Sequence, residues 1–185
     1  MSRALVLVAE GSEETEVIIT ANVLRRAGVK TVLAGLLGPE IVPGARGLKL
    51  VPDVALADAQ GPWDAIVLPG GMAGAEAFAA SPAVGQLLRD AETQGIVVAA
   101  VCAAPIALVA HGVFAGRTLT SYPSVRERVE AHGTWIAADA VEHEGLITGS
   151  GPGTCFEFAL TLVESLRGSD VADSVRADLL IEPQE

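Results

Sequence analysis

Short aliphatic blocks alternate with longer amphipathic segments along most of this chain. Residues 4–9 form a continuous apolar run of strand length, bounded by polar residues. Residues 13–27 follow with helical spacing: Val17, Ala21 and Leu24 share one stripe, and Gly28 stands where a helix would stop. Residues 31–36 repeat the strand pattern. So do residues 63–68 (WDAIVL), which break at Pro69-Gly70-Gly71. Between these two runs, residues 38–53 carry Pro43, Gly44 and Gly47 among short apolar pieces, the pattern of a hairpin or edge excursion.

The second half continues the alternation. Ser81-Pro82 opens a helix running to about Thr93, with proline at the first helical position. Residues 96–101 read as a strand and 105–111 as a short helix that stops at Gly112. A strand over 118–122, a helix over 124–131 and late strands over 135–140 and 146–148 come next. The most apolar helix covers 156–166, and a polar one lies near 170–180. Strands this uniformly apolar need cover on both faces. Their alternation with helices predicts a mostly parallel sheet between two helical layers. No repeat or linker interrupts the pattern, so residues 1–185 read as one α/β domain.

Composition narrows the choice. Half of the 185 residues are apolar but only 4% are aromatic, so the core is aliphatic. No apolar run approaches the ~18 residues of a membrane span. The opening MSRALVLVAEGSEETE runs from a short apolar block straight into acids, unlike a secretory or transit segment. A cytoplasmic protein is expected. The net charge of -11, from 12 basic and 23 acidic residues, argues against nucleic-acid and membrane partners. Two cysteines in that setting do not make a disulfide framework.

In open α/β sheets, ligands bind beyond the carboxyl ends of the strands. The loops at 10–16, 69–71, 102–105 and 149–154 fall there. Cys102 stands between a strand and a helix, where helical N–H groups and the helix dipole favour thiolate. A small buried packing residue fits the same position, and spacing alone leaves both readings standing. Cys155, inside the first turn of an apolar helix, reads as packing. Gly70-Gly71 either makes a turn or opens its N–H groups to an oxyanion. Glu10, Glu13, Glu14 and Glu16 suit a helix start whatever their function. A carboxyl beside Cys102 assists it only when protonated, and spacing does not say which one turns inward. His111, His132 and His143 lie in separate segments, so no metal site is expected. The 149–154 loop misses both GxGxxG and GxSxG, and remains a glycine-rich helix entry suited to a small anion.

The segments RALVLVAEGSEETE, NVLRRAGVKTVLAGL, DAIVLPGGMAGA, AAVCAAPIALVAHG, LTSYP and GPGTCFEFALTLVE occur in one order over essentially the whole chain. In this the sequence resembles the ThiJ/PfpI superfamily, and more narrowly its parkinsonism-associated protein deglycase branch. The resemblance implies a flavodoxin-like three-layer α/β sandwich, a homodimer packed partly through the first helix, and no cofactor. It implies a reactive cysteine at Cys102, a protonated partner at Glu16, and a backbone oxyanion pocket at Gly70, Gly71 and Ala103. Arg26 and Arg46 match arginines near the dimer interface that can hold an anion, and Tyr122, Gly151 and Pro152 border the pocket.

The implied activity is a glyoxalase or protein deglycase acting on methylglyoxal, glyoxal or their early protein adducts. The alternative is a redox-sensing stress chaperone whose Cys102 is oxidised to sulfinate. Three positions depart from the pattern. Tyr122 replaces a histidine found in several members, so proton transfer falls to Glu16. Ala103 stands where the protease branch has histidine, and Ser150 stands where an arginine is usual. An amidotransferase-like hydrolase calls for His and Glu two apart, and Glu142-His143-Glu144 has no such pair.

Overall fold

The aliphatic runs pair side by side at the centre of the molecule. The computed structural model describes residues 1–182. In chain order the first half contains β1 (Arg3–Val8), α1 (Glu14–Arg26), β2 (Lys30–Gly35), β3 (Val42–Pro43), β4 (Lys49–Leu50), β5 (Val54–Ala55), β6 (Ala65–Leu68), α2 (Met72–Ala80) and α3 (Pro82–Gln94). The second half adds β7 (Val97–Val101), α4 (Pro105–His111), β8 (Thr118–Leu119), α5 (Arg126–Val129), β9 (Thr134–Trp135), β10 (Ala140–His143), β11 (Leu146–Gly149), α6 (Cys155–Arg167) and α7 (Ser169–Asp178).

Seven strands form the main sheet in the order β10-β11-β7-β6-β1-β2-β5. All neighbours in it are parallel except the β10–β11 hairpin. Alternate side chains of each strand enter opposite cores. Leu5, Leu7, Ile66, Leu68, Val98 and Ala100 pack with Phe78, Leu88 and Leu108 of α2, α3 and α4. Val6, Val67, Ala99, Val101 and Ile147 pack with Leu24, Phe158, Leu162 and Val175 of α1, α6 and α7. This is the flavodoxin-like sandwich expected, with an aliphatic interior. Among the described residues no helix is long and apolar enough to cross a membrane.

Register sets the position of the site. Leu68 pairs with Ala100 and Gly149 with Val101, so these strands end nearly level. β1 joins them through Val6 opposite Val67. The loops after β1, β6, β7 and β11 therefore leave one edge together.

Four details differ from the sequence reading. Helix α2 is unannounced by periodicity, because its alanines count as apolar on every face. The strand expected over 135–140 is divided: β9 leaves the main sheet and pairs with β8, while β10 turns through Glu144-Gly145 onto β11. Both turn residues have positive φ, 51° and 78°. The helix expected over 124–131 shrinks to α5 after a 3-10 turn at Pro123–Val125. The strand expected over 118–122 is the two-residue β8.

Candidate active site

Strand β7 ends at Val101 and α4 starts at Pro105, which leaves Cys102 to turn the corner. It does so at φ 61°, in the left-handed region where a non-glycine residue costs on the order of 1–3 kcal/mol. Two hydrogen bonds hold it there. Its N–H donates to Gly149 O at 2.8 Å, and Tyr122 N–H donates to its carbonyl at 2.8 Å. The residue is half-buried and borders a cleft of about 560 Å³. The N–H groups of Gly71 and Ala103 donate toward its sulfur.

Glu16 lies fully buried on α1. Its Oε2 accepts from Gly70 N–H at 2.6 Å, and its carboxyl also interacts with the Cys102 thiol. Burial pushes this carboxyl up to about 7. The Gly70 and Cys102 hydrogen bonds work against that rise, and the neighbouring charge of Glu13 adds to it. Its Oε1 is buried without a hydrogen-bond partner among the described residues, a lack of donors that disfavours the charged form as burial does.

The thiol does not match the simple expectation from a helix start. Burial, then the charge of Glu16, pushes Cys102 up to about 12, although the Gly71 and Ala103 N–H groups pull it down. The opposition from Glu16 exists only while that carboxyl is ionised. Between those two values, about 7 and about 12, the pair holds one proton, as thiol with carboxylate or, in its reactive form, as thiolate with carboxylic acid. The second state is nucleophilic, and it keeps its proton donor beside the sulfur.

The glycines serve different ends. Gly70 N–H is engaged by Glu16, so Gly70 places the carboxyl and leaves Gly71 and Ala103 as the donors toward sulfur. This corrects its expected place in an oxyanion pocket. A Cβ at Gly70 would stand 2.6 Å from Cys102 Cβ and 2.8 Å from Glu16 Oε2. Gly71 adopts φ 79°, and a Cβ there would meet Gly11 O.

Tyr122, Pro152 and Arg46 border the cleft. Gly151 acts one step behind it: a Cβ there would press within 3.2 Å of the Tyr122 ring. Arg26 is not brought to the site. It lies ten residues beyond Glu16 on α1, about 15 Å along the axis, and its Nε donates to Asn22 Oδ1 at 2.9 Å. The histidines are tied into the fold elsewhere. His111 and His132 use ring nitrogens on the carbonyls of Phe78 and Val113, and His143 Nδ1 accepts from Thr118 N–H.

One wall of the cleft was anticipated only at Arg46. Pro43, Gly44, Ala45 and Arg46 of the β3–β4 turn form it. Glu14 clamps this turn, accepting from Arg46 N–H at 2.9 Å and Leu48 N–H at 3.2 Å. Burial works against the Glu14 charge, but its own backbone N–H and those of Leu48, Arg46 and Ala45 outweigh it and lower its pKa. Gly44 was the available signal, since a Cβ there would meet Glu14 Oε2 at 2.6 Å.

Residues 2–165 match the model of the DJ-1/PfpI family. The chain is 45% identical over 184 residues to the Parkinson disease protein 7 homolog of Danio rerio, covering 97% of each chain. It is 38% identical over 181 residues to the glutathione-independent glyoxalase DJR-1.2 of Caenorhabditis elegans, covering 97% of this chain and 96% of that one. The crystal structure of Drosophila melanogaster DJ-1beta superposes with a TM-score of 0.96 at 45% identity, covering 99% of this chain and 100% of that one. An elbow cysteine over a buried glutamate, on this sheet and with these relatives, has one conclusion: the chain belongs to the DJ-1/PfpI family.

Proposed function

We propose that this chain is a glutathione-independent glyoxalase that converts methylglyoxal to lactate, and that the same chemistry reverses early aldehyde adducts on proteins. One observation carries the reading: a buried carboxyl near pKa 7 interacts with a half-buried sulfur that opens on a cleft of small-molecule size. The relative from Caenorhabditis elegans bears the name of that activity.

The Cys102 thiolate attacks the aldehyde carbon and forms a C–S bond. The carbonyl oxygen takes the charge beside the Gly71 and Ala103 N–H groups, then a proton from Glu16, giving a hemithioacetal. The Glu16 carboxylate removes the proton from C1 and returns it to C2, while the O1 proton passes to O2. A lactoyl thioester on Cys102 results. Water cleaves it, releasing lactate and a proton and restoring the thiolate–carboxylic acid pair. The sum is one aldehyde plus one water giving one hydroxy acid, with no net oxidation. A homodimer packed through α1 belongs to the same proposal, supported by the exposed Ile18 on that helix.

A second reading is favoured by the oxygen Oε1 of Glu16. The carboxyl interacts with Cys102, and with that oxygen unengaged it can donate, once protonated, to a sulfinate formed when the thiolate consumes two peroxides and releases two waters. The decisive experiment is lactate formation from methylglyoxal without glutathione. Turnover is expected in the native protein, and activity that survives in Cys102→Ser overturns the mechanism.

A further inference from the structure

We infer that the cleft over Cys102 is a charge filter, selecting uncharged 2-oxoaldehydes over those that carry a carboxylate or phosphate. As a statement about substrates this rests on the glyoxalase reading; as a statement about access it rests on the cleft alone. Three charged residues border the cleft: Glu10, Glu13 and Arg46. Glu10 is exposed at the mouth, while the Glu13 side chain is only 10% exposed.

Arg46 is the one cation bordering the cleft among the described residues, and it is outnumbered there by Glu10 and Glu13. Its Nε lies 3.9 Å from Glu13 Oε2, its side chain is 81% exposed, and its backbone N–H is held by the Glu14 carboxylate. That leaves the negative charge of Glu10 without a counterpart at the mouth. At the base, Cys102 and Glu16 together carry another whenever the site is reactive. The chain as a whole, these groups included, carries a net charge of -11. A cleft with low-dielectric walls focuses such a field, so an incoming anion is opposed along its path. A neutral dicarbonyl meets no such opposition.

The test separates access from catalysis. Alkylation of Cys102 by uncharged iodoacetamide and by anionic iodoacetate, followed by mass, is compared with the same ratio for free cysteine. At low ionic strength the protein should favour iodoacetamide by about a further tenfold. The Glu10→Gln/Glu13→Gln double variant should bring the ratio back toward that of free cysteine, and about 0.5 M salt should narrow it. Glu10 is exposed and Glu13 makes a single long ion pair, so the variant keeps its fold. In parallel, initial rates are taken with 4-carbamoylphenylglyoxal and 4-carboxyphenylglyoxal, which match in shape and differ in charge. A bias in both arms supports the filter and the substrate class. Biased alkylation without turnover of either glyoxal keeps the filter and removes the glyoxalase reading. A ratio equal to that of free cysteine overturns the filter.

Discussion

Cys102 and Cys155 are both thiols that pack against the α1–α6 side of the sheet, Cys102 reaching the opposite core as well, and burial pushes each up to about 12. Both also feel the charge of Glu16. Their surroundings otherwise diverge. Cys155 is wholly buried at the start of α6, with Thr20 Oγ1 at 3.6 Å from its sulfur and Glu16 O at 3.8 Å. Its neighbours complete a packed interior and give a reactant no way in. Cys102 is forced to positive φ, opens on a cleft, faces two backbone N–H groups and interacts with a carboxyl that can trade its proton. An elevated thiol pKa is common to both. Reactivity depends on access and on a proton partner, which only one of them has.

The largest effect expected follows directly. Cys102→Ser should lower lactate formation by at least about a thousandfold, while Cys155→Ala changes it by less than about twofold. The second variant instead costs roughly 1–2 kcal/mol of stability in urea melts. Comparable loss of activity in both, with both folded, would break the contrast.

Glu16→Gln sharpens it, with turnover falling about a hundredfold. Iodoacetamide should nevertheless modify Cys102 faster at neutral pH, because the charge that raises the thiol has gone. A merely structural glutamate would not divide the two readouts in this way. The same residue has a stability signature. Its folded pKa of about 7 lies above the ordinary 4.5. Proton binding therefore stabilises the fold fully below about 4.5, and this contribution, about 3 kcal/mol, is lost as pH rises through 7. Urea melts of native protein and Glu16→Gln should agree near pH 4 and separate at pH 8, with the variant the more stable.

Gly70→Ala should reduce turnover about tenfold or more and cost about 2 kcal/mol, since its Cβ displaces both the sulfur-bearing carbon and the carboxylate. Unchanged kinetics would mean that Gly70 does not fix the pair. Tyr122→Phe is the smallest case, within about threefold in initial rate. A larger fall would make the phenol a proton donor in place of Glu16.

Much of the fold was legible because its signals are local. Continuous aliphatic runs such as 63–68 and 96–101 can be buried on two faces only as interior parallel strands. Ser81 before Pro82 marks the start of α3, where Ser81 Oγ accepts from Val84 N–H. Helix α2 was not legible, because a segment rich in alanine has no polar face to reveal its period. The strand over 135–140 failed for another reason: β9 and β10 join different sheets, and pairing partners are not written in a strand's own residues.

The site divides along the same line. Sequence by itself determined that a cysteine occupies a strand-to-helix corner, that acids crowd the first helix, and that glycines follow β6. These depend on residues adjacent in the chain. Only the tertiary structure decided which acid meets the cysteine. Glu14 and Glu16 are both buried, yet two residues on a helix point roughly 200° apart. Glu14 turns to the hairpin and Glu16 to Cys102. It also engaged Gly70 N–H with a carboxylate 54 positions away and kept Arg26 remote. Proton affinities near 7 and 12 arise from burial and from charges met through space, and chain packing alone sets those.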